Sequence, residues 1–215
     1  MPVPLKIDFV SDISCPWCVI GLRALEQAMA RLDGQVAVDL HFQPFELNPQ
    51  MPPGGQDIDE HLQQKYGSTP EQAALVRERI RAAGAALGFI FSLQTRSRIY
   101  NTFDAHRLLH WAALEGRQLA LKQALFQAYF TDGEDPSSHQ VLIRAAARVG
   151  LDATRAARIL DSNEFAAVVR KEQAFYRDQG IHAVPAVIIN NQHLIQGGQP
   201  VEVFEQALRQ IAGLA

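Results

Sequence analysis

The chain has 215 residues, 47% hydrophobic and 20% charged, with 20 Lys and Arg against 23 Asp and Glu and a formal net charge of −3. That is ample apolar material for a packed core and excludes a disordered or fibrous chain. It also excludes a basic field that would gather nucleic acid or anionic lipid, and no apolar run approaches the ~20 residues of a membrane-spanning helix, so neither nucleic acid nor membrane is expected as a partner.

The first ten residues carry no basic leader, and Lys6 and Asp8 interrupt their apolar stretch, so no secretory signal is read and a cytoplasmic protein is expected. Leu5, Ile7 and Phe9 alternate with Lys6 and Asp8, the period of a strand with its polar side outward. A helix follows from about Pro16 to Leu32, with Leu22, Leu25, Met29 and Leu32 on one face, and Asp33-Gly34 ends it. Val36 to Phe42 reads as a second strand, parallel to the first in a βαβ unit. Prolines 44, 49, 52 and 53 with Gly54-Gly55 then break the chain and mark a domain boundary.

From Asp57 to about Gln179 the pattern is helical throughout. Thr69-Pro70-Glu71-Gln72 carries a cap, a first-turn proline and a capping-box glutamine. Ala73, Val76, Ile80, Ala83 and Leu87 mark one face after it, and further helices are expected over 102–115, 118–130, 138–149, 152–160 and 163–178. Val184 to Ile189 reads as a strand, Asn190-Asn191 as a tight turn, and His193 to Gln196 as its antiparallel return. A last helix spans Val201 to Ile211 with Val203, Phe204, Leu208 and Ile211 inward.

The two cysteines of the chain stand together as Cys15-Pro16-Trp17-Cys18, after a strand and at the start of an amphipathic helix. That is a redox signature. The first cysteine meets the free N–H groups and positive end of the helix, which favour a thiolate. The second returns one helical turn later, within reach of a disulfide. Cys15 is expected to attack and Cys18 to resolve the mixed disulfide. Zinc wants four ligands, no second C-x-x-C follows, and His106 and His110 lack a third partner, so no metal is expected. Trp17 either shapes substrate contact or covers the motif. Arg77, Arg79 and Arg81 read as a solvated face beside Glu71 and Glu78. Gly197-Gly198 lacks the fuller phosphate-binding pattern, and no G-x-S-x-G appears.

The motif, the helical insertion and Val184-Pro185 before a strand together resemble the DsbA-type branch of the thioredoxin superfamily. Phe45-Glu46-Leu47-Asn48-Pro49, Asn101 to Leu108 and Gly197-Gly198-Gln199-Pro200 are similar to the FrnE-like proteins within it. The resemblance implies an α/β thioredoxin fold with a large α-helical domain inserted between the second and third strands. Residues 1–50 and 161–215 would form the thioredoxin-like domain and 51–160 the inserted one. It implies a dithiol-disulfide oxidoreductase or isomerase acting on a thiol or disulfide substrate, protein or small molecule, as a monomer or homodimer. No bound cofactor is expected, with glutathione entering as a redox partner. Pro185 is expected to be cis, which would place the Val184 backbone beside the thiols to pair with an extended peptide.

A sister group, the 2-hydroxychromene-2-carboxylate isomerases and kappa-class glutathione transferases, has a serine resembling the position of Cys15 and activates glutathione. This is the alternative function; the chain departs from it by keeping both cysteines. In that group the insertion faces an apolar co-substrate, so Phe103, His106 and His110, with Trp111 behind, are expected beside the active-site groove, or else in the interdomain core.

Overall fold

The computed structural model describes residues 1–92 and 96–214. It opens with β1 (Val3–Ser11), α1 (Pro16–Arg31) and β2 (Val36–Pro44). Cys15 caps α1 in an extended conformation at φ −94°, and Pro16 takes the first helical position, where a missing N–H costs nothing. Leu22, Leu25 and Leu32 are buried and Met29 packs partly against them, the expected face. β2 returns parallel to β1, in register from Val3 opposite Val36 to Ser11 opposite Pro44.

The stretch between β2 and the next strand of the main sheet comprises β3 (Gln56–Asp57), α2 (Ile58–Tyr66), α3 (Pro70–Ala86), β4 (Arg98–Ile99), α4 (Phe103–Leu114), α5 (Gln118–Phe126), α6 (His139–Arg148), α7 (Ala153–Leu160) and α8 (Ala166–Asp178). It is not helical throughout: β3 and β4 pair antiparallel, a ladder too short to show periodicity in the sequence. The part of the helical expectation that falls on 93–95 lies outside the described residues. The capping box of α3 forms as expected, Thr69 Oγ1 accepting from the Gln72 N–H and the Gln72 side chain accepting from the Thr69 N–H. Val76, expected on its inner face, is 44% exposed, because it lies off the face of α3 that buries Ala73, Ile80 and Gly84. α5 gives way to a π-helical turn over Gln127–Thr131. α8 starts three residues later than expected because Phe165 before it adopts φ +62°.

β5 (Ala186–Ile189), β6 (His193–Gln196) and α9 (Val201–Ile211) close the chain. Asn190 and Asn191 turn β5 into β6 with φ of 52° and 55°, values asparagine tolerates. The strand order is β2-β1-β5-β6, with β5 antiparallel to β1. α9 packs on α1 through Val201, Phe204 and Leu208; Val203, expected inward, is 41% exposed because it lies off that stripe.

β1 is thus central, and every residue from Ile7 to Ser11 is buried. Asp8, read from the sequence as outward, is buried as well. Lys6 pairs with it at 2.8 Å and Gln43 Nε2 donates to it at 2.6 Å. β2 is an edge strand, and Gln118 of α5 stands in for a neighbour: its amide accepts from the Phe42 N–H and donates to the Phe42 carbonyl, both at 2.9 Å. One core runs from Phe9, Cys18 and Leu25 through Leu108, Trp111, Phe126 and Leu142. Each such fully buried side chain contributes about 1.5–3 kcal/mol, so the sheet and the inserted helices share their stability. No helix of the described residues is long and apolar enough to cross a membrane.

Candidate active site

The loop between β1 and α1 sets the two thiols at the C-terminal end of the central strand. The Cys15 N–H bonds the Asp12 carbonyl at 3.4 Å and the Cys18 N–H bonds the Cys15 carbonyl at 3.1 Å, the first turn of α1. Both cysteines are free thiols. Cys15 retains 4% exposure and Cys18 none. Cys15 Sγ donates to the Val184 carbonyl at 3.6 Å, and the Val184–Pro185 peptide is cis. The expected juxtaposition of Cys15, Cys18, Val184 and Pro185 is therefore present. Burial pushes the Cys18 thiol well above its ordinary range; its hydrogen bond to Cys15 and the charge there push the same way, while Lys122 pulls it down.

Close backbone approach holds this arrangement. A Cβ at Gly21 would meet the Pro185 ring at 3.1 Å, and one at Gly198 would meet the Trp17 carbonyl oxygen at 3.0 Å. Glycine at these two positions lets α1, the Pro185 segment and the turn before α9 converge on the motif. Trp17 is half-buried against the core.

Beneath the thiols sits Asp12, wholly buried. Its carboxylate accepts from the Leu47 N–H at 2.7 Å, the Thr102 hydroxyl at 2.7 Å and the Ser14 hydroxyl at 2.9 Å, and His106 Nε2 lies 3.4 Å away. Burial alone would raise the carboxyl pKa; His106, the Leu47 N–H and the Thr102 hydroxyl outweigh it and hold Asp12 at about 2. One carboxylate thus ties the cysteine loop to the two stretches, Phe45 to Pro49 and Asn101 to Leu108, that carried the sequence resemblance. Neighbouring bonds brace the same strap. Glu46 is buried against Arg170 and Gln173 of α8, and Lys65 Nζ donates to the Leu47 carbonyl at 2.9 Å and to Asn48 Oδ1 at 2.7 Å.

The helical-domain residues expected at the groove or in the interdomain core are placed as follows. His106 is 2% exposed and its imidazole faces Asp12, away from solvent. Phe103 is half-buried with the Arg170 guanidinium 3.6 Å above its ring. His110 packs on Phe165 and faces Glu172 at 3.5 Å. Trp111 is core, its indole donating to Glu115 at 3.2 Å. Among the described residues no group of three or more His, Cys, Asp or Glu is placed to hold a metal ion.

Sequence reasoning missed Asp12, Thr102 and Lys122. Asp12 stands three residues before Cys15, which is the signal that was there to read. Lys122 sits on the apolar stripe of α5 with Leu121, Leu125 and Phe126, where a solvated lysine would not.

Comparison with known proteins places this geometry. A crystal structure from Streptomyces coelicolor, described as a probable DsbA oxidoreductase, is 33% identical and superposes with a TM-score of 0.91 over 98% of this chain and 91% of that one. 2-Hydroxychromene-2-carboxylate isomerase shares the fold at 14% identity, TM-score 0.72, over 98% and 99% of the two chains. The cytosolic disulfide reductase DsbM of Pseudomonas aeruginosa, solved with GSH, does so at 17% identity, TM-score 0.67, over 97% and 100%. The family model for the DSBA-like thioredoxin domain matches residues 6–209, and the chain belongs to that family.

Proposed function

We propose that the protein is a thiol-disulfide oxidoreductase, with isomerase activity on non-native disulfides, that cycles Cys15 and Cys18 between dithiol and disulfide. The observation that carries this reading is the asymmetry of the pair: Cys15 caps a helix with a remnant of exposure, and Cys18 is sealed one turn inside, its N–H donating to the Cys15 carbonyl. Cys15 thiolate attacks a substrate disulfide, forms a mixed disulfide and expels the first substrate thiolate. Cys18 then attacks Cys15 Sγ, the bond to substrate breaks, and the second substrate thiolate leaves with its electron pair. The enzyme dithiol is oxidised by two electrons and the substrate disulfide reduced by two; the reverse sequence oxidises a substrate dithiol. The Val184 backbone beside Cys15 supports an extended peptide as substrate, held as an added strand. Glutathione is the small thiol to test first, since the Pseudomonas aeruginosa reductase that shares the fold was solved with it.

Cys15→Ser is expected to abolish attack on a disulfide, and Cys18→Ser to trap a mixed disulfide with oxidised glutathione, read by mass. A glutathione-activating transferase or isomerase would leave Cys18 dispensable. Full turnover of Cys18→Ser, or trapping on Cys18 instead of Cys15, overturns the reading.

A further inference from the structure

Lys122 is wholly buried on α5, and its Nζ has no hydrogen-bond partner among the described residues. The ammonium lies 5.0 Å from the Phe126 ring centre and 5.7 Å from that of Phe42. Aromatic faces stabilise a cation weakly compared with the water it has lost. A methionine would fill this place without the cost of burying a charge, so the fold alone gives no reason for a lysine.

Lys122 lines a cavity of about 160 Å³ between β2, α4, α5 and α8. The other titratable side chains on its wall each have a partner. His110 faces Glu172 at 3.5 Å, His106 faces Asp12 at 3.4 Å, and His41 faces Asp39 at 2.8 Å. Gln43 and Gln118 spend their amides on Asp8 and on the Phe42 backbone. The polar set is thus balanced except for one positive charge. The rest of the wall is apolar, from Phe42, Pro44 and Leu109 to the exposed Leu114 at the rim. Neither cysteine, nor Val184, nor Pro185 lines this cavity, so it is separate from the exchange site.

A cavity of about 150 Å³ is enough for a benzene-sized guest. Ligand pockets join such apolar walls to a few fixed polar groups that set orientation. The chemistry that completes this one is a single negative charge on a small apolar body. We propose that the cavity is a binding site for small organic monocarboxylates, with the Lys122 ammonium as their counter-ion. The flexible four-carbon stem of Lys122 carries the ammonium from the Phe42 and Phe126 rings to the carboxylate. The apolar part of the ligand packs on Leu109 and Leu114. Burial pulls Lys122 down to about 8, which leaves the ammonium the majority form at pH 7. The site is additional to disulfide exchange and does not depend on it. Because its wall joins β2 to three helices, occupancy stabilises the folded chain.

The test is titration of the full chain with benzoate and with benzyl alcohol, a similar ring without the charge, followed by NMR of ¹³C-labelled leucine methyls. Benzoate is expected to bind with a dissociation constant of about 0.1–1 mM, at least about tenfold more tightly than benzyl alcohol, and to shift the Leu109 and Leu114 methyls. In Lys122→Met the benzoate affinity is expected to fall about 10- to 100-fold, while benzyl alcohol binds as in wild type. No benzoate binding at about 10 mM, equal affinity for the two probes, or an unchanged benzoate affinity in the Met variant overturns the proposal. Shifts confined to leucines outside the cavity overturn it as well, because benzoate would then sit elsewhere. Should the Met variant fold poorly, read from its Tm, the two probes on the wild type decide the question alone.

Discussion

Two side chains of opposite charge, Asp12 and Lys122, are wholly buried, and they are treated in opposite ways. Asp12 has a donor for each oxygen, drawn from its own loop, from Leu47 after β2 and from Thr102 before α4. Lys122 has none. Charge-assisted bonds offset the burial of the carboxylate and turn it into a strap between the sheet and the helical insertion. Nothing of that kind offsets the burial of the ammonium.

Substitutions sharpen this contrast, beginning with the largest effect. Asp12→Asn removes the charge but keeps the shape, leaving His106 and the Leu47 N–H without their anion. It is expected to cost about 3–5 kcal/mol, read as a fall in Tm of about 10 °C. An unchanged Tm would show that the strap bears no weight. The pH dependence follows from the same bonds. Asp12 is held at about 2, below the ordinary 3.8, so its contribution is complete above about pH 4 and is lost as pH falls through about 2. Asp12→Asn is expected to remove that part of the acid transition in denaturant titrations; an acid transition equal to wild type would contradict it.

Gly198→Ala comes next. Its Cβ would sit 3.0 Å from the Trp17 carbonyl and 3.5 Å from the Gly21 nitrogen, backbone atoms that cannot swing aside. A loss of about 1–3 kcal/mol is expected, with slower reaction of Cys15 with oxidised glutathione. Wild-type stability and rate would mean the turn before α9 does not brace the motif. Thr102→Val deletes one donor to Asp12 and is expected to cost about 1–2 kcal/mol in urea unfolding. Smallest of all, Lys122→Met is expected to leave stability unchanged or raise it, since a buried unpaired charge is exchanged for an apolar chain of similar length. A large loss there would make Lys122 structural and dissolve the contrast with Asp12.

The outer frame of this fold was legible because periodicity carried it. Alternation marked β1, and the leucine stripe marked α1. Thr69 to Gln72 announced α3, and Asn190-Asn191 the turn between β5 and β6. Cys15, Cys18, Val184 and Pro185 could be brought together on a motif and a resemblance. Periodicity also misled. It put Asp8 outward, because alternation cannot tell an exposed face from one that other elements cover. It put Val76 and Val203 inward, because an apolar residue off the buried stripe looks the same in sequence. The β3–β4 ladder is too short to have a period at all. Asp12 and Lys122 were invisible for a different reason: a charged residue reads as solvated until its burial is known. For His106 the sequence leaves a groove place and a core place open, and the structure turns it inward to Asp12.

The dithiol-disulfide cycle is tested most directly by a redox titration of the protein in glutathione buffers, with acid quench, alkylation and mass measurement of Cys15 and Cys18. A single two-electron transition is expected, both thiols protected together, with about 30 mV for each tenfold change in the equilibrium ratio. A stable glutathione adduct on Cys15, with Cys18 free across the whole range, would contradict it.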